Sequence, residues 1–308
     1  MNFTHQNHLQ YTIGDRLFGN RETSIEKFKV SVGQVDAERY AQSNYVDELH
    51  RTADLIRSDL GKDLVVFFSG GTDSEIVLRN FLKVGLRPRC VIIKFKDNYN
   101  AADVRNAQLI AHELRVRLEM LDFDVLDFHN SGECKEFGEA LQCTQLTYLM
   151  VYKHVLKLGL PAVMGGEVLL TRQVTKDDSY WYYTFRENED ASAMRFSLKY
   201  NVPLVNEYFS YTPELLLYYL ENPDIKRLVS NRYNYKLTSV SSKNAILQKL
   251  YPEIMVKKKT HGFESLLAFN YEAYKHTGQD QIKRLEFSLD GIQYDDTIKQ
   301  LKGRYENN

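Results

Sequence analysis

Leu64-Val65-Val66-Phe67-Phe68 runs directly into Ser69-Gly70-Gly71-Thr72-Asp73-Ser74. Five consecutive apolar residues, β-branched and aromatic, read as a strand buried on both faces. The segment after them is short and rich in hydroxyls and glycine, and Ile76, Val77, Phe81 and Leu82 then recur at helical spacing within Thr72 to Lys83. A strand, a Gly-Gly turn and a helix start together make an anion site. Glycine lets backbone N–H groups approach a phosphate, Ser69 and Ser74 supply hydroxyls, and the helix dipole favours negative charge. Asp73 sits inside this cradle. An acid there would repel phosphate unless a divalent cation lay between them, so the loop implies Mg²⁺.

The same alternation continues along the chain. Gly85 and Pro88 punctuate, and Cys90-Val91-Ile92-Ile93-Lys94-Phe95 reads as a second buried strand. After a polar loop over Asp97 to Ala101, the residues Ala107, Ile110, Ala111 and Leu114 mark one face of a helix over Asp103 to Leu114. A third strand is expected over Leu118 to Phe123, a long helix over about Phe137 to Leu158, and a fourth strand over Ala162 to Met164 that ends in Gly165-Gly166-Glu167. Upstream, Leu49, Ala53, Ile56 and Leu60 predict an amphipathic helix over Asp36 to Leu60, closed by Gly61. Strands alternating with helices in this way predict an α/β fold with a doubly wound parallel sheet. Ligands of such sheets sit at the carboxyl ends of the strands, where both glycine loops emerge.

Residues 1–35 show little periodicity and read as an arm, irregular or with a short β excursion. Residues 36–170 form the nucleotide-binding α/β unit. Beyond Leu170 the strand signal fades, and helices are expected near Ala191 to Tyr200, Pro213 to Glu221 and Ser241 to Tyr251. Residues 171–308 are therefore expected to be mostly helical and to complete the active site.

With 308 residues and 43% hydrophobic content, the chain can bury a large core. Its net charge of −1 argues against nucleic acid as a partner. No apolar run approaches membrane-spanning length, and Met1 to Gln10 is polar rather than signal-like. Cys90, Cys134 and Cys143 make no C-x-x-C pair, which fits a reducing cytoplasm and gives no structural zinc site. The tyrosines concentrated in the second half read as packing rather than as a stacking surface for bases.

Ser69-Gly70-Gly71-Thr72-Asp73-Ser74 is not a Walker A sequence, which needs a Lys-Ser/Thr pair after a longer glycine spacing. It resembles the PP-loop of the ATP pyrophosphatases, which cleave ATP between the α- and β-phosphates. Over roughly Asp47 to Glu264 the chain is similar to the synthetase domain of asparagine synthetase. That resemblance implies a sheet of the PP-loop (HUP) type and a phosphate grip by Ser69, Gly70, Gly71, Thr72, Asp73 and Ser74. It implies adenine held by the strand backbone at Ile93-Lys94-Phe95, with Asp103, Ala107 and Ala111 standing where the family has an Asp and two alanines. Gly165 and Gly166 resemble the family's second glycine element, and Glu167 a Mg²⁺ ligand beside Asp73. Lys243 and Lys259, the latter in Lys258-Lys259-Thr260-His261-Gly262-Phe263, resemble lysines that bind pyrophosphate and the adenylate. The family usually has Asp-Glu at the second metal element, whereas here Val168 follows Glu167. The glutaminase domain of asparagine synthetase is not expected, since position 2 is Asn2 where that domain needs an exposed cysteine.

The implied activity is an ATP-dependent amide ligase that forms AMP and pyrophosphate. It would adenylate a small-molecule carboxylate and pass the acyl group to ammonia or an amine, with a separate glutaminase as one nitrogen source. Arg172, Arg186 and Arg195 are candidate carboxylate clamps by chemistry alone, and nothing in their spacing singles one out. Two alternatives stay open: a PP-loop sulfurtransferase that adenylates a tRNA base, and a nucleotide-binding module without turnover. The oligomeric state is not readable from the sequence.

Overall fold

A computed structural model describes residues 9–13, 16–17, 28–32, 36–141, 143, 146–166, 170–174, 179–186, 192–223, 249–254 and 286–288. In chain order these form β1 (Leu9–Ile13), β2 (Arg16–Leu17), β3 (Phe28–Val32), α1 (Ala37–Gln42), α2 (Tyr45–Leu60), β4 (Val65–Phe67), α3 (Thr72–Lys83), β5 (Arg89–Phe95), α4 (Ala101–Glu113) and β6 (Leu118–Phe123). There follow α5 (Val125–Asn130), α6 (Glu133–Leu141), α7 (Leu146–Leu158), β7 (Ala162–Val163), β8 (Leu170–Val174), β9 (Ser179–Arg186), α8 (Ser192–Tyr200), β10 (Leu204–Val205), α9 (Pro213–Glu221) and β11 (Glu286–Ser288).

The central sheet has five strands in the order β10-β7-β4-β5-β6, and every pairing is parallel. From β4 the chain winds outward through β5 to β6, then returns to lay β7 on the other side of β4. The reversal leaves a crevice between the carboxyl ends of β4 and β7, the position where open α/β sheets bind ligands.

The apolar run at the head of β4 alternates between two cores. Leu64, Val66 and Phe68 join Cys90 and Ile92 on one face, against α2, α3, α4 and α9 through residues such as Ile56, Phe81, Ala107 and Leu215. Val65 and Phe67 join Val91, Ile93 and Phe95 on the other, against α5, α7 and α8 through Phe128, Val151 and Phe196. A strand apolar at every position is thus explained by burial on both faces.

Several boundaries differ from the expected ones for local reasons. The helix expected over Asp36 to Leu60 is broken. Asn44 takes an extended conformation and accepts from the N–H groups of Val46 (3.0 Å) and Asp47 (3.1 Å), which starts α2 afresh. Gly61 closes α2 with its N–H on Arg57 O at 3.0 Å. The long helix expected over Phe137 to Leu158 is two helices, α6 and α7. Buried acids clasp α1 to the rest: Glu214 at the head of α9 accepts from the Asp36 N–H at 2.7 Å and pairs with Arg39, which also reaches Glu48 on α2 at 3.4 Å.

Two small antiparallel sheets flank this arrangement in sequence. One has the order β2-β1-β3, so the first 35 residues include a β excursion. The other has the order β11-β9-β8 and begins with a hairpin just where the sequence loses its strand signal, with Leu170 opposite Tyr183 and Val174 opposite Ser179. Tyr180 to Tyr183 is an aromatic run without clean alternation, which hid the strand. The helices expected near 191–200 and 213–221 are formed, while the one near 241–251 lies almost wholly outside the described residues.

Candidate functional site

At the crevice a cleft of about 270 Å³ opens. Its polar wall is Ser69, Asp73, Ser74, Asn100 and Asp103, and its apolar wall includes Phe67, Val91, Ile93, Met150 and Met164. Gly165 and Gly166 close the β7 side and Thr147 the head of α7.

Gly71 is the N-cap of α3 and has no side chain to satisfy the first-turn N–H groups. A helix start without a side-chain cap is suited to binding an anion through its first-turn N–H groups. Ser74 Oγ donates to Gly71 O at 2.9 Å and lies 3.3 Å from Ser69 Oγ, so the two hydroxyls sit side by side at the mouth of the loop.

Gly70 has φ +71°. A Cβ there would fall 2.7 Å from Ala107 N and 2.8 Å from Asp103 O, both backbone atoms of α4. The loop is therefore pressed against the backbone of α4 at Asp103 and Ala107. Gly165 faces the other flank: its Cβ would lie 3.0 Å from the Cβ of Asp73. Gly166, at φ +71°, abuts Asn206 and Glu207, where a Cβ would fall 2.4 Å from the Cα of Glu207. Tyr208 N–H completes this seam by donating to Gly165 O at 3.1 Å.

The structure thus brings Ser69, Gly70, Gly71, Thr72, Asp73, Ser74, Gly165 and Gly166 together, with Ile93 and Phe95 on the adjoining strand. Lys94 points elsewhere: it lies outside the cleft and pairs with Asp122 at 3.7 Å. Glu167, Lys243 and Lys259 lie outside the described residues. Arg195 reaches Leu141 O at 3.5 Å and does not line the cleft.

Among the described residues no cluster of three or more His, Cys, Asp or Glu stands ready for a metal. The carboxylates lining the cleft are Asp73 and Asp103, each with one oxygen buried. Two carboxylates are the usual protein share of a Mg²⁺ site, with substrate phosphates and water supplying the rest, so these residues fit the ion. The thiols fit chemistry poorly. Burial pushes Cys90 up to about 12 and Cys134 up to about 11, leaving both as inert packing groups at neutral pH.

Sequence reasoning missed Asn100, Asn206 and Glu207. Asn100 carries a weak signal, a polar residue just before a helix, but its use depends on contacts across the sheet. Asn206 and Glu207 follow a strand of two residues, too short to be recognised by pattern.

No protein-family model matches the chain, and no curated protein does. Among solved structures, similarity is found to a predicted subunit of tRNA methyltransferase from Methanocaldococcus jannaschii, at 17% identity over 50% of this chain and 71% of that one, with a TM-score of 0.32. An NH3-dependent NAD synthetase from Campylobacter jejuni is similar at 10% identity over 43% of this chain and 57% of that one, with a TM-score of 0.30. An NMN synthetase from Francisella tularensis is similar at 16% identity over 80% of this chain and 97% of that one, with a TM-score of 0.30. At these TM-scores the likenesses carry no weight for activity. No helix among the described residues is long and apolar enough to cross a membrane.

Proposed function

We propose that this chain is an ATP-dependent ligase of the PP-loop class, of the asparagine synthetase type, that adenylates a carboxylate and passes the acyl group to ammonia or an amine. One observation carries the reading: two glycine loops from different strands close on Asp73 at the switch point, with the uncapped start of α3 beneath them. A phosphate cradle alone has no use for an acid at its centre. A site that holds a triphosphate and stabilises departing pyrophosphate does.

In this reading the first-turn N–H groups of α3 bind the phosphates, and Gly70 lets the loop lie against α4 so that those donors converge. Asp73 and Asp103 would hold Mg²⁺, which supplies charge stabilisation as the bond from Pα to the pyrophosphate oxygen breaks. The acceptor carboxylate oxygen attacks Pα, pyrophosphate leaves, and the amine then displaces AMP from the acyl carbon. Glu167, Lys243 and Lys259 belong to the proposal through the resemblance of their motifs. The sulfurtransferase reading is weakened by the buried, high-pKa thiols of Cys90 and Cys134.

Exchange of labelled pyrophosphate into ATP, screened across amino acids, other carboxylates and RNA, tests the class. Exchange dependent on one carboxylate is the expected result. Exchange driven by RNA, or ATP binding with no exchange under any acceptor, would replace it with one of the two alternatives.

A further inference from the structure

Just past the point where β4 turns into the glycine loop, the backbone of β5 loses its neighbour. Arg89 N–H donates to Leu64 O at 3.0 Å and Val91 O accepts from Phe68 N–H at 2.7 Å, so the odd-numbered residues of β5 face β4. Ile93 and Phe95 are next in that series, and among the described residues no strand continues beside them. Asn100 takes the place of the missing strand. Its carboxamide N–H donates to Ile93 O at 2.8 Å, and its carbonyl accepts from Phe95 N–H at 2.8 Å. The side chain is only 6% exposed and lines the cleft beside Ile93 and Phe95. Asn100 is also the N-cap of α4, where an Asn ordinarily bonds its own helix, yet it makes no such bond. Its amide is directed at the strand instead.

We propose that Asn100 is a built-in occupant of a base-reading position: Ile93 C=O and Phe95 N–H form an acceptor–donor pair for the Watson–Crick edge of an adenine, and the Asn100 carboxamide fills that pair until the base displaces it. This rests on the reading of the cleft as an ATP site. A carboxamide offers one N–H donor beside one acceptor oxygen. Adenine offers the same pattern, with its amino group as donor and the adjacent ring nitrogen as acceptor. Guanine presents the reverse order and would set acceptor against Ile93 O and donor against Phe95 N–H. The strand end is therefore selective for adenine by polarity, and Asn100 lowers affinity for every ligand that must enter there. It also keeps two buried backbone groups satisfied while the site is empty, which a gap would not.

Asn100→Ala removes the occupant and leaves the pair open. Calorimetric titration of the full chain should show ATP binding about tenfold tighter in the variant, the scale of two neutral hydrogen bonds no longer competing. Inorganic tripolyphosphate, which can reach the glycine loop but carries no base, should bind both proteins equally. GTP should stay roughly ten- to hundredfold weaker than ATP in the variant, the usual range for a mismatched bidentate edge. Amide exchange at Phe95 should be fast in the empty variant and slow again with ATP, but not with GTP. If the variant does not fold, the wild-type chain decides: the Asn100 side-chain NH₂ resonances should shift on adding ATP and stay put with tripolyphosphate. Wild-type protein that binds tripolyphosphate and ATP with no response at Asn100, or a variant with unchanged ATP affinity, overturns the proposal while leaving the ATP site standing. Wild-type protein that binds neither overturns the reading beneath it.

Discussion

Gly70→Ala tests whether the glycine loop is held by its backbone contact with α4. The substitution carries two costs that the structure separates. At φ +71° an L-residue pays the left-handed penalty, about 1–2 kcal/mol. The new methyl would also fall 2.7 Å from Ala107 N and 2.8 Å from Asp103 O. Both are backbone atoms of a helix that packs on the sheet, so neither can swing away, and overpacking of this kind costs about 1–3 kcal/mol more. The sum is roughly 2–5 kcal/mol, a large share of the total for an ordinary domain. Gly85→Ala is the matched control, because Gly85 also has a positive φ, +75°, and closes α3 in the left-handed turn in which Leu86 N–H donates to Phe81 O at 2.8 Å, but nothing lies within 4 Å of its Cβ position. Equilibrium urea unfolding followed by circular dichroism should place Gly85→Ala at the conformational penalty alone. Gly70→Ala should be less stable by a further margin of about 1–3 kcal/mol and should bind ATP more weakly, since α4 and the loop must part. If the two variants unfold within about 0.5 kcal/mol of each other, the close approach of loop and helix is wrong.

Asp73→Asn keeps the size of the side chain and removes its charge. It should cut pyrophosphate release by about two orders of magnitude, the scale seen when charge stabilisation is lost, while the chain stays folded by circular dichroism; normal turnover at ordinary Mg²⁺ would remove the metal role. His154 is buried on α7 with Nδ1 at 2.7 Å from Met150 O, and burial, with the charges of Lys157 and Lys153 adding, holds its pKa below the ordinary imidazole value. The unfolded chain therefore takes up this proton first, so its contribution to stability is complete above about pH 6.5 and is lost as pH falls through the lower, folded value. The urea midpoint should drop more steeply on acidification in the wild type than in His154→Asn, and parallel curves would refute the assignment. Glutamine incubated with the purified chain, with or without ATP, should release no glutamate, because Cys90, Cys134 and Cys143 are all buried and burial raises the pKa of the first two. Release abolished by alkylating the cysteines would contradict this.

The fold was legible where local pattern and tertiary role coincide. Leu64 to Phe68 must be apolar at every position because α3 and α7 cover opposite faces, and that run alone announced a central parallel strand. Gly61, Pro213 with Thr212, and the glycine turn between β4 and α3 are short-range chemistry, readable within a few residues. The rest depended on contacts between distant segments. Nothing before Asn44 in the sequence says that its side chain will cap a new helix rather than ride inside one. Ala107 looks like any apolar position of α4, and nothing in the sequence says that its backbone lies against Gly70. Asn100, a residue in a polar loop by sequence, takes its meaning from the place where β4 ends across the sheet from Ile93 and Phe95. The hairpin of β8 and β9 was lost because its aromatic run does not alternate.

In the proposed reaction a carboxylate oxygen attacks Pα at the crevice between the two glycine loops. The direct measurement uses the carboxylate that supports exchange, labelled with ¹⁸O in both oxygens, under single turnover with ATP, Mg²⁺ and the amine. Mass analysis of the products should find one ¹⁸O in AMP and none in pyrophosphate, since the oxygen that made the bond to Pα leaves with the nucleotide. Label appearing in inorganic phosphate, with ADP as the nucleotide product, would mean attack at the γ-phosphate and would contradict the account.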